Sequence, residues 1–390
     1  MKSDSKATAS HPASPRVVAL DAFRGATFAG MMIVNYPGDW NHFYAPLQHA
    51  PWHGWTLADL VFPFFLWIVG VAMAFSLTGR QERGVPRTDI HHHMVRRAVI
   101  LFGMGLFLGG FPFGLIPGHP FSWATLRIPG VLQRIAVCYL LAGMILLHTR
   151  MRTQYVLVWV LLLLHSVLLL YLPVPGYGAG LLTPEGNMAR YIDLTLLGKH
   201  TWLAAPVPGF DPEGILGTLS ALATTLLGIL TGHFLRSGRS AMATFLGLTA
   251  AGILLIALGS ALSHWLPINK GLWTGSYAIF MAGMALTMFA VCHGLTDGLG
   301  WQRWAKPFVM YGTNPLALFF LAGLTGRLLA LVKVTDTNGQ VVSCKTFYYR
   351  HLFLPYFDPW LASFLHAAAF ALFMYLVARM LHRQGWLLKI

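Results

Sequence analysis

Long apolar runs, separated by short polar segments, recur along the whole 390-residue chain. A helix that crosses a bilayer needs about 20 consecutive, mostly apolar residues. The pattern therefore predicts an all-α, polytopic membrane protein with about ten transmembrane helices, at 17–37, 57–77, 97–113, 131–147, 155–172, 214–235, 244–265, 274–293, 308–332 and 361–381. We expect residues 16–390 to form a single transmembrane domain. The polar stretch 1–15 lacks the order of a signal peptide and is predicted to be a disordered cytoplasmic tail.

Composition and charge support a membrane protein and argue against a nucleic-acid partner. Of the residues, 56% are hydrophobic and only 10% are charged, whereas a soluble domain carries about a quarter charged residues. The formal net charge is +14. Most of the 27 Lys and Arg residues fall in segments that alternating spans place on one side, and such a bias marks the cytoplasmic face. Both termini are thus expected in the cytoplasm. The cysteines and the histidine run have no metal-site spacing, and no metal is predicted.

The loops on the outer side are the longer ones, at 37–56, 114–130, 173–213 and 333–360, and long ordered loops often carry function. His49 and Trp52 lie in the first of them, and Asp59 begins the second span. Ionisable groups at a membrane boundary are costly and therefore candidates for function. Asp59 has the chemistry to orient a histidine and to stabilise its protonated form. A lone loop histidine is more often only a hydrogen-bonding residue.

Polar residues in the first span indicate a second candidate region. Asp21 and Arg24 are three residues apart, so they share one helical face. They form either a structural ion pair or a site at which the arginine binds phosphates arriving from the cytoplasm. Asn35 ends the same span, where we expect it to be buried and to need a partner. It either ties helices together or holds a substrate carbonyl.

Two further residues interrupt later spans. Arg134 lies in the outer third of the fourth span, where a guanidinium needs an anion or a water-filled cavity. Its expected partner is Asp59, a loop acid or a substrate. Asn314 precedes Pro315 in the ninth span, and this pair either exposes backbone polar groups to a cavity or only kinks the helix.

Acidic and polar residues also lie at the outer ends of the sixth and eighth spans. Asp211 and Glu213 precede the sixth span, where acids favour a helix N-terminus, so capping competes with binding of sugar hydroxyls. Asn269 and Lys270 lie in a tight turn before Trp273 and are either surface residues or substrate contacts.

Taken together, these stretches resemble the transmembrane acyltransferase family of heparan-α-glucosaminide N-acetyltransferase. The matching pieces, in order, are Leu20-Asp-Ala-Phe-Arg-Gly25, Val34-Asn-Tyr36, His49-Ala-Pro-Trp52 with Ala58-Asp-Leu-Val-Phe-Pro63, Ile128-Pro-Gly-Val-Leu-Gln-Arg134, Tyr191-Ile-Asp193, Asp211-Pro-Glu-Gly-Ile-Leu-Gly-Thr218 and Pro267-Ile-Asn-Lys-Gly-Leu-Trp273. The resemblance covers about 16–325, and 332–360 has no matching motif.

The resemblance implies an acetyltransferase of a bacterial inner membrane, with homodimeric assembly. Such an enzyme takes acetyl from cytoplasmic acetyl-CoA and delivers it to a glucosamine-type amine on the periplasmic side. The family's active-site histidine falls on His49 and its asparagine on Asn35. From their positions we assign Asp59 to catalysis, Asp21, Arg24, Arg134 and Asn314 to acetyl-CoA, and Trp52, Asp211, Glu213, Asn269 and Lys270 to the acceptor.

Several alternatives remain at this point. His49 acts either as a general base in a ternary complex, which we favour, or as an acetylated intermediate with ping-pong kinetics. Rival functions are a permease for a sugar such as N-acetylglucosamine, an O-acetyltransferase of a periplasmic glycan, and a non-catalytic scaffold. The scaffold would leave His49, Asn35 and Arg134 unexplained.

Overall fold

The computed structural model describes residues 17–116 and 118–386, and these residues are mostly helical. Their α-helices are α1 (Val18–Asn35), α2 (Val61–Glu82), α3 (Arg87–Gly110), α4 (Val131–His148), α5 (Met151–Tyr171), α6 (Met188–Leu197), α7 (Gly217–Leu235), α8 (Ala241–Leu262), α9 (Gly275–His293), α10 (Lys306–Gly312), α11 (Pro315–Leu331), α12 (Cys344–Tyr348) and α13 (Pro359–Arg383). An antiparallel hairpin pairs β1 (Lys333–Thr335) with β2 (Val341–Ser343).

The predicted all-α, polytopic architecture is confirmed. Among the described residues, eight helical segments are long and apolar enough to cross a membrane, judged by length and composition. The pair α10 and α11 makes a ninth if it counts as one span, and it is bent by 81°. Helix α1 has 18 residues but does not join this set, and Asp21, Arg24 and Asn35 interrupt its apolar sequence.

Three details differ from the expected spans. Helix α3 begins at Arg87, ten residues before the predicted start, so it continues beyond its apolar part. The ninth span is not one straight helix over 308–332, because Pro315 lacks a backbone N–H and starts a new helix after Asn314. The loops that were predicted to lie on the outer side contain α6, α12 and the hairpin, which the hydrophobic pattern did not indicate. The predicted tail 1–15 lies outside the described residues.

Close backbone contact joins α1 to α10. A Cβ atom added at Gly25 would overlap the carbonyl group of Phe308, and one at Gly312 would overlap the carbonyl oxygen of Asp21. Only glycine permits this approach, and small residues serve the same purpose in many membrane helix pairs. The contact places the last turn of α10 beside Arg24.

Helices α2 and α7 form a second close pair at the centre of the bundle. A Cβ at Gly70 would overlap the carbonyl oxygen of Thr225, and one at Gly228 would overlap that of Trp67. The buried indole of Trp67 packs against Phe23 of α1 and Phe289 of α9. Helix α2, which begins two residues after Asp59, is therefore fixed against the other central helices.

Candidate active site

A capping interaction at the start of α2 places Asp59 against His49. Residues 57–60 form a 3₁₀ turn, and the side chain of Thr56 accepts the backbone N–H of Asp59. In return, Asp59 Oδ2 accepts the backbone N–H of Thr56 at 3.0 Å and that of Ala50 at 3.1 Å. The other carboxylate oxygen, Oδ1, lies 2.8 Å from His49 Nδ1. The local fold that begins the helix therefore also aims a carboxylate at the histidine.

This contact determines which nitrogen of His49 is available for chemistry. The Asp59 side chain is only 1% exposed, and as a carboxylate it can only accept hydrogen bonds. His49 Nδ1 must then carry the proton, so the lone pair of a neutral ring is on Nε2. The His49 side chain is 43% exposed, which leaves the ring accessible at the protein surface. The pair has the arrangement of a general base and its orienting acid.

Lys270 completes a three-residue cluster with this pair. Its Nζ lies 3.2 Å from Asp59 Oδ1, 3.0 Å from His49 Nδ1 and 3.4 Å from His49 Nε2. Because Nδ1–H and the ammonium are both donors, they share the carboxylate oxygen instead of bonding to each other. Burial lowers the pKa of Lys270, while the neighbouring Asp59 carboxylate opposes that shift. We call His49, Asp59 and Lys270 the histidine cluster.

Asn269 holds the loop that carries Lys270. This asparagine is fully buried, and its Oδ1 accepts the backbone N–H of Leu272 at 2.8 Å. Its backbone N–H donates to Thr274 Oγ1 at 3.1 Å, and its side-chain amide lies 3.3 Å from His53 Nδ1. These hydrogen bonds stabilise the loop that carries Lys270.

Asp211 and Glu213, which precede α7, both bind Arg127. The guanidinium donates from Nε to Asp211 Oδ2 at 2.8 Å and from Nη2 to Oδ1 at 2.6 Å, and Nη2 also pairs with Glu213. Burial of Arg127 opposes its charge, but the two acids raise the pKa of Arg127 overall. Asp211 accepts the backbone N–H of Trp202 as well, at 2.9 Å. Both acids are therefore engaged within the protein.

Arg134 is buried without the acidic partner that the sequence led us to expect. Its Nη2 donates to the carbonyl oxygen of Gly214 at 2.9 Å, and its guanidinium lies 5.1 Å from the ring centroid of Trp273. Nε and Nη1 have no hydrogen-bond partner in the described part of the chain. Nearby, Asp193 accepts the backbone N–H of Ile215 at 2.9 Å, and burial raises the pKa of Asp193 to about 7.

Trp52 also makes contacts within the protein. Its indole N–H donates to the carbonyl oxygen of Leu182 at 2.7 Å, and its ring packs edge-on against Phe210. These contacts join the first outer loop to the third. The tryptophan therefore helps to fix the 37–56 loop, which also carries His49.

A cavity of about 230 Å³ opens beside the outer end of α1 and contains Asn35. Asn35 is exposed, so the expectation that it is buried was wrong: it lies at the last residue of α1, where the helix meets the cavity. The lining is formed by α1, α3, the start of α4 and α11. Its polar side chains come from Asn35, Tyr36, Arg127, Gln133 and Arg327. We call this space the outer cavity.

A second cavity of about 130 Å³ lies between α1, α2, α3, α4 and α11 and is mostly apolar. Arg24 and Arg97 line it, and it shares Val131, Leu132 and Phe319 with the outer cavity. The two spaces are therefore adjacent. Since Arg24 and Asn35 are eleven residues apart on α1, the axial distance between them is about 16 Å. We call this second space the inner cavity.

The residues predicted at the inner end have different surroundings. Arg24 donates to Asp21 Oδ1 at 2.6 Å and from Nε to the carbonyl oxygen of Gly312 at 3.0 Å. Asn314, at the bend after α10, donates to the carbonyl oxygen of Trp386 at 2.6 Å. Arg24 thus joins two helices while also lining the inner cavity, whereas Asn314 is not among the lining residues.

Sequence reasoning missed Arg97. Its guanidinium lies 4.9 Å from the ring centroid of Tyr139, and its Nε is buried without a hydrogen-bond partner among the described residues. The hydrophobic pattern predicts that the third span begins at this residue, which places it at the cytoplasmic boundary. The early start of α3 puts it nearly halfway along that helix and into the wall of the inner cavity.

The fold and site define a class: a polytopic helical membrane protein with a histidine–aspartate pair and adjacent cavities inside its bundle. The family model described as heparan-alpha-glucosaminide N-acetyltransferase, catalytic, matches residues 16–268, and the chain belongs to this family. The human heparan-alpha-glucosaminide N-acetyltransferase is 30% identical over 354 residues, covering 78% of this chain and 52% of the human protein. The mouse protein is 29% identical over 353 residues, covering 78% and 53%. The chain spans about half the length of these curated relatives.

Proposed function

We propose that this protein transfers the acetyl group of acetyl-CoA to the amine of an amino sugar, with His49 as the general base. The observation that carries the proposal is the contact between His49 Nδ1 and Asp59 Oδ1, which leaves Nε2 as the basic nitrogen. The relatives are named for N-acetyl transfer to a glucosaminide, and the matched region includes both residues.

In this mechanism His49 Nε2 takes a proton from the amine as its nitrogen attacks the thioester carbonyl. Because His49 is not among the residues that line the outer cavity, the acceptor must extend from that cavity to His49. The C–S bond then breaks, the CoA thiolate receives that proton, and the products are an N-acetyl sugar and CoA. Asn35 provides an amide N–H for the carbonyl oxygen, on which negative charge develops. Asp59 holds the ring of His49 and stabilises the imidazolium that forms. General-base catalysis of this kind contributes about 10²- to 10⁴-fold.

The two cavities support a donor that lies along the bundle. Arg24 and Arg97 offer positive charge to CoA phosphates at the inner end, and the mostly apolar lining suits the pantetheine arm. A separation of about 16 Å between Arg24 and Asn35 suits an extended arm that delivers the thioester to the outer cavity. The predicted cytoplasmic side of the basic loops is consistent with donor entry from that side.

The remaining parts of the proposal are a bacterial inner-membrane location, cytoplasmic termini, a periplasmic acceptor and a homodimer. Within it we move Lys270 from the acceptor site to the charge balance of the base, a role that its contacts with His49 and Asp59 support. Asp211 and Glu213 then act on the acceptor only through Arg127, which they hold in the wall of the outer cavity.

A permease is the second candidate, since the 81° bend between α10 and α11 and the adjacent cavities also suit a transport path. The distinguishing experiment incubates purified protein in detergent with radiolabelled acetyl-CoA and glucosamine. Wild type should form labelled N-acetylglucosamine, and His49→Ala should lose about 10²- to 10⁴-fold in rate. His264→Ala, which removes another exposed histidine, is the matched control.

Equal activity of His49→Ala and wild type would refute the assigned base. Absence of product from any amino sugar or glycan hydroxyl, together with no binding of acetyl-CoA, would favour the permease. Product from a glycan hydroxyl alone would instead identify an O-acetyltransferase. A labelled protein that forms without acceptor and loses its label when acceptor is added would indicate the acetyl-histidine route.

A further inference from the structure

Two arginines line the outer cavity, and their surroundings are opposite. Arg127 is held by the carboxylates of Asp211 and Glu213, so its charge is more than balanced. Arg327, on α11, donates from Nη1 to the carbonyl oxygen of Gly323 at 3.1 Å, one turn back on its own helix. No carboxylate within the described ranges forms an ion pair with it. The cavity thus contains one neutralised and one uncompensated guanidinium.

An uncompensated guanidinium inside a helical bundle has an electrostatic cost unless it faces water or an anion. The bond to Gly323 occupies one of the five N–H donors of Arg327, and the group lines a cavity that can admit a ligand. A planar guanidinium binds carboxylate, sulfate or phosphate through two parallel hydrogen bonds. The chemistry therefore favours an anionic group in the outer cavity.

Position along α11 indicates which substrate supplies that group. Pro315 and Leu316, at the start of the helix, line the inner cavity, whereas Arg327 lies near its end and lines the outer one. The donor phosphates are assigned to the inner end with Arg24 and Arg97. The acceptor amine must reach the thioester beside Asn35, in the same cavity as Arg327.

We propose that Arg327 is a specificity residue that binds an anionic substituent, a carboxylate, sulfate or phosphate, on the amino-sugar acceptor. This inference rests on the proposed acetyltransferase function. It predicts that the protein prefers acidic amino sugars to glucosamine itself.

The test compares kcat/KM for glucosamine, glucosamine 6-phosphate and glucosamine 6-sulfate in purified wild type, Arg327→Gln and Arg327→Lys. A charge-assisted hydrogen bond corresponds to about a 10- to 100-fold preference for the charged acceptors in wild type. Arg327→Gln should reduce the charged-to-neutral ratio to nearly one, mainly through KM. Arg327→Lys, which keeps the charge without the planar fork, should retain part of the preference. Lys333→Gln removes an exposed outer cation outside the cavity and should keep the wild-type ratio.

Several results would overturn the inference. A wild type that acetylates all three acceptors equally would remove the anion subsite while leaving the acetyltransferase intact. An Arg327→Gln variant whose rates fall by the same factor for every acceptor, or whose KM rises only for acetyl-CoA, would assign Arg327 to the reaction centre or the donor. If wild type acetylates no amino sugar at all, the proposed function itself fails, and that outcome is distinct from the others.

Discussion

Replacing Asp59 by Asn tests whether this carboxylate sets the proton position on His49. The backbone N–H groups of Ala50 and Thr56 both donate to Oδ2, so the amide carbonyl of the variant must take that place. The amide NH₂ then occupies the Oδ1 position, 2.8 Å from His49 Nδ1. Because NH₂ donates, Nδ1 must accept, and the ring proton moves to Nε2. The base nitrogen of the proposed reaction is thereby blocked.

The expected loss in kcat is about 10²- to 10⁴-fold, the range that general-base catalysis supplies. At about 1.36 kcal/mol for each factor of ten, this equals roughly 3–5 kcal/mol of transition-state stabilisation. The assay measures initial rates of labelled N-acetylglucosamine formation at saturating acetyl-CoA and glucosamine. The KM for acetyl-CoA should change little, since Asp59 does not line the inner cavity.

Thr56→Ala is the matched control for this variant. It removes the hydroxyl group that lies 3.3 Å from Asp59 Oδ2 but keeps the carboxylate that bonds to His49. Loss of a capping side chain costs about 1 kcal/mol of stability, so thermal unfolding should shift while kcat falls only a few-fold. The reasoning is refuted if Asp59→Asn retains kcat within about threefold of wild type, or if Thr56→Ala loses as much activity as Asp59→Asn.

Two other predictions concern residues that sequence reasoning did not assign. Arg97→Gln should raise the KM for acetyl-CoA about 10- to 100-fold with little change in kcat, because it removes a charged hydrogen-bond donor from the inner cavity. Arg96→Gln, which changes the neighbouring exposed arginine, should leave this KM unchanged. Equal KM values for the two variants would reject the donor site. The raised pKa of Asp193, about 7, means that an unfolded chain releases this proton at lower pH than the folded protein. The contribution of Asp193 to the free energy of unfolding should therefore be fully present below about pH 4 and decrease as the pH rises toward and through 7. Asp193→Asn should remove that part of the pH dependence of thermal unfolding, and an unchanged profile would contradict the assignment.

The pairing of His49 with Asp59 was accessible from sequence because both residues lie within one loop and the helix start that follows it. A capping aspartate at the first turn of an apolar span has a known position, and a histidine ten residues earlier is within reach. The sequence indicates Lys270 only as an acceptor contact or a surface residue. Its place beside His49 depends on how the loop before α9 packs, 221 residues away along the chain.

The cavities were harder to predict because they depend on helix packing and on where each helix begins. Arg97 enters the inner cavity because α3 starts at Arg87, inside a basic segment that hydropathy assigns to a loop. Arg327 lies in an apolar run and lines the outer cavity from α11, which is bent by 81° relative to α10. Asn314 and Pro315 indicate the bend in the sequence, but the side chain of Asn314 donates to the carbonyl oxygen of Trp386 and does not line the inner cavity. The sequence pattern does not show which helices line the two cavities.

The most direct measurement of the central claim uses the protein in sealed vesicles, with radiolabelled acetyl-CoA supplied on one side and glucosamine enclosed on the other. The account predicts labelled N-acetylglucosamine in the compartment that holds the acceptor, formed by wild type and lost in His49→Ala. Product that forms only when both substrates are on the same side would contradict transfer along the bundle. Glucosamine that leaves the vesicles without acetylation would contradict the enzyme altogether.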